Sequence, residues 1–484
     1  MNKNQKHFLI AIIAGIALYF LLPEANGLTN AGVRMLSVFL PTIYLWLTCG
    51  TGWTSLFSVT VAIMLLVAPG VPSYMTLWGN VCAAAVIPFL MVATVMEESG
   101  AFEWIVKWII SRKFIHGHPT LFMIMFTIAM VIISIFTAPQ VVSVLFFRIL
   151  YEVTKSIGYT KEDKFFKAHG LLIGWVAQTC DGVLIWGRPY VLTMVGLVVG
   201  LGFSKFTAMD YFSVCGFYLA IMIVVAWLVI KFIIRPDVSK FENFDDAAMR
   251  AELSANPINK RGKIAILGMI VILTFYVLAY CTFLGPVAGY FSGISIAAGV
   301  TLVCALMCII TVDGEPVMDL NKAAAKVPWS MIMFLGAIMF YAGNVGAEEF
   351  GISLCLQNIL GPIVAKMPIM LAMLIGIVVA SLITNFCSNT VAGVVVCSSF
   401  VPAMMSVPGI NPAQVLAFAC AVIAICGTAF CTVSAAPTMS IIYSDMGVEY
   451  KGTAKYSIAV CATMIIVSCL IIVPLGTKLL AGII

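Results

Sequence analysis

The sequence predicts an all-α polytopic membrane protein whose two halves repeat one another in opposite orientation. Three observations lead there. Of 484 residues, 62 % are hydrophobic and only 10 % charged, against about 25 % charged in a soluble domain. Apolar stretches of membrane-spanning length recur along the whole chain, and the mean hydropathy is +1.10. A short motif, MEESGAFEWI at 96–105, returns as AEEFGISLCL at 347–356, a shift of 251 residues.

The first element, HFLIAIIAGIALYFLL behind Lys3 and Lys6, reads as a span near 8–22. No small-residue cleavage site follows it, so it is expected to be a helix and not a removed signal peptide. Spans near 33–49, 54–70 and 82–96 come next. The apolar stretch at about 119–149 is interrupted by Thr137-Ala138-Pro139. Proline removes a helix donor and clashes with the preceding turn, so one kinked helix or a re-entrant hairpin is expected. The stretch 170–200 carries AQTCDGVLIWGRPYVLTMVG at 177–196, the composition of a broken helix, and 210–234 follows as a plain span.

One long polar segment, 235–262, divides the chain into halves 1–234 and 263–484 and reads as a cytoplasmic linker. The second half then offers spans near 263–283, 287–311, 328–345 and 454–478. A second interrupted stretch at about 367–403 surrounds TNFCSNTVAG, and 413–445 contains GTAFCTVSAAPTMSIIYSDMG, the second broken helix. Pro189 and Pro437 correspond if the first half carries about three extra residues.

The 251-residue register persists beyond the motif. It pairs Glu97 with Glu348, Gly100 with Gly351, Ala129 with Ala380, Ile132 with Ile383 and Gly158 with Gly409, and it lays Thr137-Ala138-Pro139 on Ser388-Asn389-Thr390. Residues 101–170 hold eight Lys and Arg, whereas the equivalent window 352–421 holds one, Lys366. Positive charge collects on the cytoplasmic side, so equivalent loops are expected on opposite faces. Inverted repeats of this kind belong to secondary transporters, whose sites lie where broken helices meet near the midplane.

The polar islands are the candidate site. Ser, Thr and Asn oxygens with freed backbone carbonyls are hard ligands suited to Na⁺, and half-helix N-termini favour an anion. The plain alternative is polar packing between membrane helices. Asp181 and Arg188 stand out because ionisable residues inside spans are functional candidates, either as a mutual pair or as a carboxylate-binding fork. Glu97-Glu98 and Glu348-Glu349 read as interfacial helix ends, and KEDKFFK (161–167) as a solvated cytoplasmic loop.

Other chemistries find little support. Fifteen Cys, an odd number with no CxxC pair, and four His with no HExxH predict neither a disulfide framework nor a metal centre. The net charge of +5 is explained by basic loops without nucleic acid. An intramembrane enzyme would need a nucleophile–base pair or metal cluster that the sequence does not offer, and a scaffold subunit would not need repeated polar islands.

GLTNAGVRMLSVFLPTIYLWLT (27–48), MEESGAFEWI and the central SNT resemble the divalent anion–sodium symporter family of the ion transporter superfamily. The resemblance implies a homodimer, each protomer with a scaffold and an elevator-type transport domain built on two re-entrant hairpins and two broken helices. It implies Na⁺ coupling without an organic cofactor, and a small di-anion such as a C4-dicarboxylate as substrate. A sodium-independent exchanger and a sulfate or tricarboxylate carrier are the alternatives. It maps a second sodium site to Thr384, Cys387, Ser388, Asn389 and Ala435. Substrate contacts map to Ser388, Asn389, Thr390, Pro437 and Thr438, with Thr137 and Pro189 from the first half. A first sodium site would fall at Thr137 and Gly187, but Ala138 lacks the amide oxygen of its counterpart Asn389. Arg188 stands where the family has Thr, and Ala436 is its mate. The expected location is the plasma membrane, or the inner membrane of a Gram-negative cell, multi-pass with a cytoplasmic N-terminus.

Overall fold

The computed structural model describes residues 2–483 except 66, 68, 69, 80, 187, 245, 281–284, 387, 434 and 446. Helices dominate. α1 (Lys3–Leu21) and α2 (Asn30–Cys49) pack side by side, started by Asn2 and Thr29 as N-caps. α3 (Gly52–Met64), α4 (Gly70–Gly79), α5 (Val81–Glu98) and the short α6 (Ala101–Ile110) follow. α7 (Pro119–Phe136) ends at Thr137 and Ala138, and α8 (Pro139–Ser156) restarts with proline as its first residue, where the missing N–H costs nothing. α9 (Lys164–Val183) and α10 (Pro189–Gly200) are separated by 184–188, and α11 (Ala208–Leu228) closes the first half.

The second half begins with α12 (Asp246–Ala255) and α13 (Lys260–Tyr280). α14 (Pro286–Ile294) and α15 (Ile296–Ile309) meet at a bend of 69°. β1 (Thr311–Val312) and β2 (Glu315–Pro316) form a minimal antiparallel hairpin. Its turn is Asp313-Gly314, both at positive φ, the pair such a tight turn favours. α16 (Leu320–Ala325), α17 (Trp329–Gly346) and α18 (Ile352–Val364) lead to α19 (Ile369–Thr384), with a 118° bend between Leu354–Val364 and α19. α20 (Asn389–Met405), α21 (Pro412–Cys426), the single-turn α22 (Pro437–Ser440), α23 (Tyr450–Val467) and α24 (Val473–Leu479) complete the chain.

Six helical stretches among the described residues are long and apolar enough to cross a membrane, and two bent pairs pass the same test together. The chain is an all-helical, multi-pass membrane protein. α9 and α21 form its centre: nearly every side chain on both is buried, which is why neither shows a polar face in sequence. They cross at Gly182 and Gly427. A Cβ on Gly182 would lie 2.5 Å from the Gly427 Cα, so the two backbones meet with no side chain between them. The helix order α5–α10 recurs as α17–α22. Gly100 and Gly351 (φ +71° and +63°) and Gly158 and Gly409 (φ +84° and +75°) turn the chain at positions 251 residues apart.

Three sequence expectations need correction. The KEDKFFK segment is not wholly a loop, because α9 starts at Lys164. Phe165 and Phe166 are buried, with Phe165 stacked on Tyr159 at 4.6 Å, and aromatic burial draws these charged residues into the helix. The 235–262 segment is not plain linker. It contains α12, whose Asp246 meets His116 at 2.8 Å and pairs with Arg250, while Lys107 of α6 donates to Glu252 at 2.9 Å. The span expected near 54–70 stops at Met64, and α4 starts separately at Gly70.

Candidate functional site

The breaks between α7 and α8, α9 and α10, α19 and α20, and α21 and α22 gather around one cavity of about 420 Å³. The first half contributes Pro139 and Gln140 from the start of α8, Gln178 and Asp181 from α9, and Pro189, Tyr190 and Thr193 from α10. The second half contributes Ser388, Asn389 and Thr390 at the start of α20, and Ala435, Ala436 and Pro437 ahead of α22. Thr51 and Phe334 close one side. α8, α10 and α20 therefore begin at this cavity. First-turn N–H groups have no partner within their own helix, and the helix dipole is positive at that end. Positive potential in the cavity thus comes from helix starts: among the described residues no Lys or Arg side chain lines it, and Asp181 is the one carboxylate on its wall.

The elbow between α19 and α20 explains why hydroxyls and amides cluster within an apolar run. Thr384 Oγ1 donates to Asn389 Oδ1 at 2.9 Å and to the Cys426 carbonyl at 2.8 Å. Asn385 Oδ1 accepts from Cys431 N, and Asn385 Nδ2 donates to the Ser381 carbonyl, both at 2.8 Å. Thr384 and Asn385 are thus satisfied by backbone and by the Asn389 side chain, and they tie the elbow to the break after α21. Ser388, Asn389 and Thr390 are left to face the cavity. Thr384 Oγ1, Asn389 Oδ1 and the Cys426 carbonyl form a compact group of hard oxygens, a donor set that fits Na⁺.

The elbow between α7 and α8 is built differently. Arg188, the N-cap residue of α10, has a side chain only 4 % exposed. Its Nη1 donates to Asp181 Oδ1 at 3.1 Å. Its Nη2 donates to the Ser134 carbonyl and to the Thr137 carbonyl, the latter at 2.8 Å.

Of the sequence-derived site residues, Ser388, Asn389, Thr390, Asp181, Pro189, Pro437 and Ala435 line the cavity. Thr384 lies behind Asn389. Thr137 does not line the cavity; its carbonyl is taken by Arg188. Thr438 is fully buried, and its hydroxyl has no partner among the described residues. Gly187 and Cys387 lie outside the described residues. Arg188 does not line the cavity: its guanidinium turns to the α7–α8 elbow, where Asp181 and two carbonyls accept from Nη1 and Nη2, while Nε has no partner among the described residues, and of the two readings the mutual pair with Asp181 is the one formed. Sequence reasoning missed Gln140, Gln178, Tyr190 and the Cys426 carbonyl. The first three sit inside or beside the quoted polar islands; a carbonyl leaves no mark in sequence.

A second cavity of about 370 Å³, between α1, α2 and α3, is walled mainly by side chains such as Phe8, Ile12, Ile16 and Phe57, with Arg34 among its few polar groups. It lacks the convergence of helix starts and polar groups of the first. Among the described residues no cluster of His, Cys, Asp and Glu could hold a metal ion.

Apolar helices that direct their breaks and polar side chains at one cavity define a ligand site within a membrane protein. A model described as citrate transporter matches residues 43–423, most of the chain, and the chain belongs to that family. It is also similar to the sodium-dependent high-affinity dicarboxylate transporter 3 of Caenorhabditis elegans, with 36 % identity over 85 residues. That match takes in 18 % of this chain and 14 % of the relative's own length. Both names describe transport and not an enzymatic reaction.

Proposed function

We propose that the chain is a secondary active transporter of a small organic di- or tricarboxylate, coupled to Na⁺ and working by alternating access. The observation that carries this reading is the cavity itself. Three long helices begin at it, and Gln140, Gln178, Ser388, Asn389 and Thr390 supply hydrogen-bonding side chains. Carboxylates suit such a site because helix N-termini stabilise anions without burying a free cation. A volume of about 420 Å³ falls in the small-ligand range of about 300–1,000 Å³.

The citrate transporter match and the dicarboxylate transporter relative support the substrate class. Na⁺ would be held by Thr384, Ser388, Asn389 and the Cys426 carbonyl, with Ala435 nearby, and it would add positive charge beside the anion. The recurrence of helix order and of the turning glycines at 251 residues supports an internal repeat. The Lys/Arg asymmetry supports its inversion and a cytoplasmic N-terminus and linker. In this reading the hairpins α7–α8 and α19–α20 move with α9, α10, α21 and α22 as one transport body, elevator fashion. The exposed apolar residues of α1 and α13, such as Ile13, Phe20 and Leu267, face lipid or the second subunit of a homodimer.

The test is thermal stabilisation of purified protein by succinate, citrate and sulfate, each in Na⁺ and in K⁺. A carboxylate should raise the melting temperature, more in Na⁺ than in K⁺. If no carboxylate does so in either salt, or only sulfate does, the substrate reading fails. Equal shifts in both salts would favour the sodium-independent exchanger, a reading that the guanidinium held at the first elbow supports.

A further inference from the structure

We propose that Arg188 is a tethered cation: its guanidinium fills the cation position of the first half, so that this half binds no coupling ion. The proposal rests on the reading of the cavity as an anion site with a sodium site at the second elbow. The 251-residue register sets Ala138 opposite Asn389 and Thr137 opposite Ser388. The second elbow presents Thr384 Oγ1, Asn389 Oδ1 and the Cys426 carbonyl, and among the described residues no charged side chain is hydrogen-bonded to them. At the first elbow Ala138 has no side-chain oxygen to present. The Ser134 and Thr137 hydroxyls remain there, Ser134 Oγ without a partner among the described residues, but the carbonyls of both residues accept from Arg188 Nη2. The residue before Pro437, the counterpart of Arg188, is Ala436, whose methyl reaches nothing of the kind. One half thus leaves its elbow oxygens for a mobile ion, while the other supplies its own cation on a side chain.

The physical chemistry favours permanence. Carbonyls at the C-terminal end of α7 carry the negative end of the helix dipole, where a cation is stabilised. A guanidinium stays charged at any physiological pH, and its fork spans carbonyl and carboxylate together. Asp181 is its counter-ion, so the pair adds no net charge to the cavity wall it touches. Na⁺ could enter only by displacing the guanidinium from its carbonyls, which would leave a buried, underserved charge. The first sodium site implied by the family resemblance therefore does not fit this chain.

Two measurements test this. In the wild type, the Na⁺ dependence of carboxylate-induced stabilisation should show a Hill coefficient no greater than about one, since only one elbow takes an ion. In Arg188→Gly, carboxylate affinity should fall about tenfold to a hundredfold, because Asp181 is left on the cavity wall without its counter-ion and repels the anion. Millimolar guanidinium should restore it saturably, while urea, of the same shape but uncharged, should not. A wild-type Hill coefficient near two would overturn the proposal. So would a folded Arg188→Gly that binds carboxylate normally, or one that guanidinium fails to rescue. If Arg188→Gly does not fold, Arg188→Lys keeps the charge, and it should retain the single-ion dependence with weaker carboxylate binding; a second Na⁺ appearing there overturns the idea. Should the wild type respond to no carboxylate, the transport reading fails by itself. Guanidinium-specific recovery of the melting temperature of anion-free Arg188→Gly then still decides whether Arg188 is a tethered cation.

Discussion

Asn389 is the side chain on which both halves of the proposed chemistry converge. It is the first residue of α20, it lines the cavity, and its Oδ1 accepts from Thr384. Asn389→Ala removes an oxygen that a buried cation would use, a cost of roughly 1–3 kcal/mol. Uptake should therefore fall about fivefold or more while the protein remains folded; unchanged uptake with unchanged Na⁺ dependence would make Asn389 mere packing. Gly182 makes a different demand. With the Gly427 Cα 2.5 Å from where its Cβ would sit, Gly182→Ala must part α9 from α21. Overpacking of this kind costs about 1–3 kcal/mol. A lowered melting temperature is expected, and an unchanged one would mean that the crossing is looser than described.

At the scale of elements, helix breaks do the positioning. α8, α10 and α22 begin with proline, whose fixed φ suits a first helical residue, so each restart is written into the chain. α12 docks by charge. The Asp246 carboxyl is held below the usual carboxylate range: burial pulls the other way, but Arg250 and His116 outweigh it. A depressed carboxyl stabilises the fold above its unfolded pKa, about 3.9, and that contribution is lost as pH falls through the folded value. Protection of residues 246–255 from hydrogen exchange, corrected for intrinsic rates, should thus hold at neutral pH and weaken below about pH 4. Asp246→Asn should reproduce the loosening at neutral pH. If it leaves protection intact, the docking of α12 rests on the Lys107–Glu252 contact instead.

For the whole molecule the decisive question is the orientation of the two halves. Residues 101–170 hold eight Lys and Arg against one in 352–421, so loops equivalent in register should lie on opposite faces. Ser239 and Ser406 are both exposed. With the native cysteines replaced, single cysteines at these two positions should label from opposite sides of a sealed vesicle. Labelling of both from one side would remove the inverted repeat and, with it, the symmetry on which the two elbows are compared.

What the sequence determined by itself was the membrane class, the positions of the helix breaks and the polar cluster of Ser388, Asn389 and Thr390. These are legible because hydropathy, proline and small polar residues act locally, within a helical turn or two. Tertiary structure decided the rest. The docking of α12 depends on His116, 130 residues away from Asp246. Gln178 and Tyr190 belong to segments that are buried all round, so no polar face marks which side looks into the cavity. The choice that Arg188 makes among an anion, Asp181 and distant backbone depends on carbonyls 54 and 51 residues earlier in the chain. A buried charge is satisfied by whatever packing brings within hydrogen-bond reach, and that is a property of neighbours in space, which no local pattern of residues encodes.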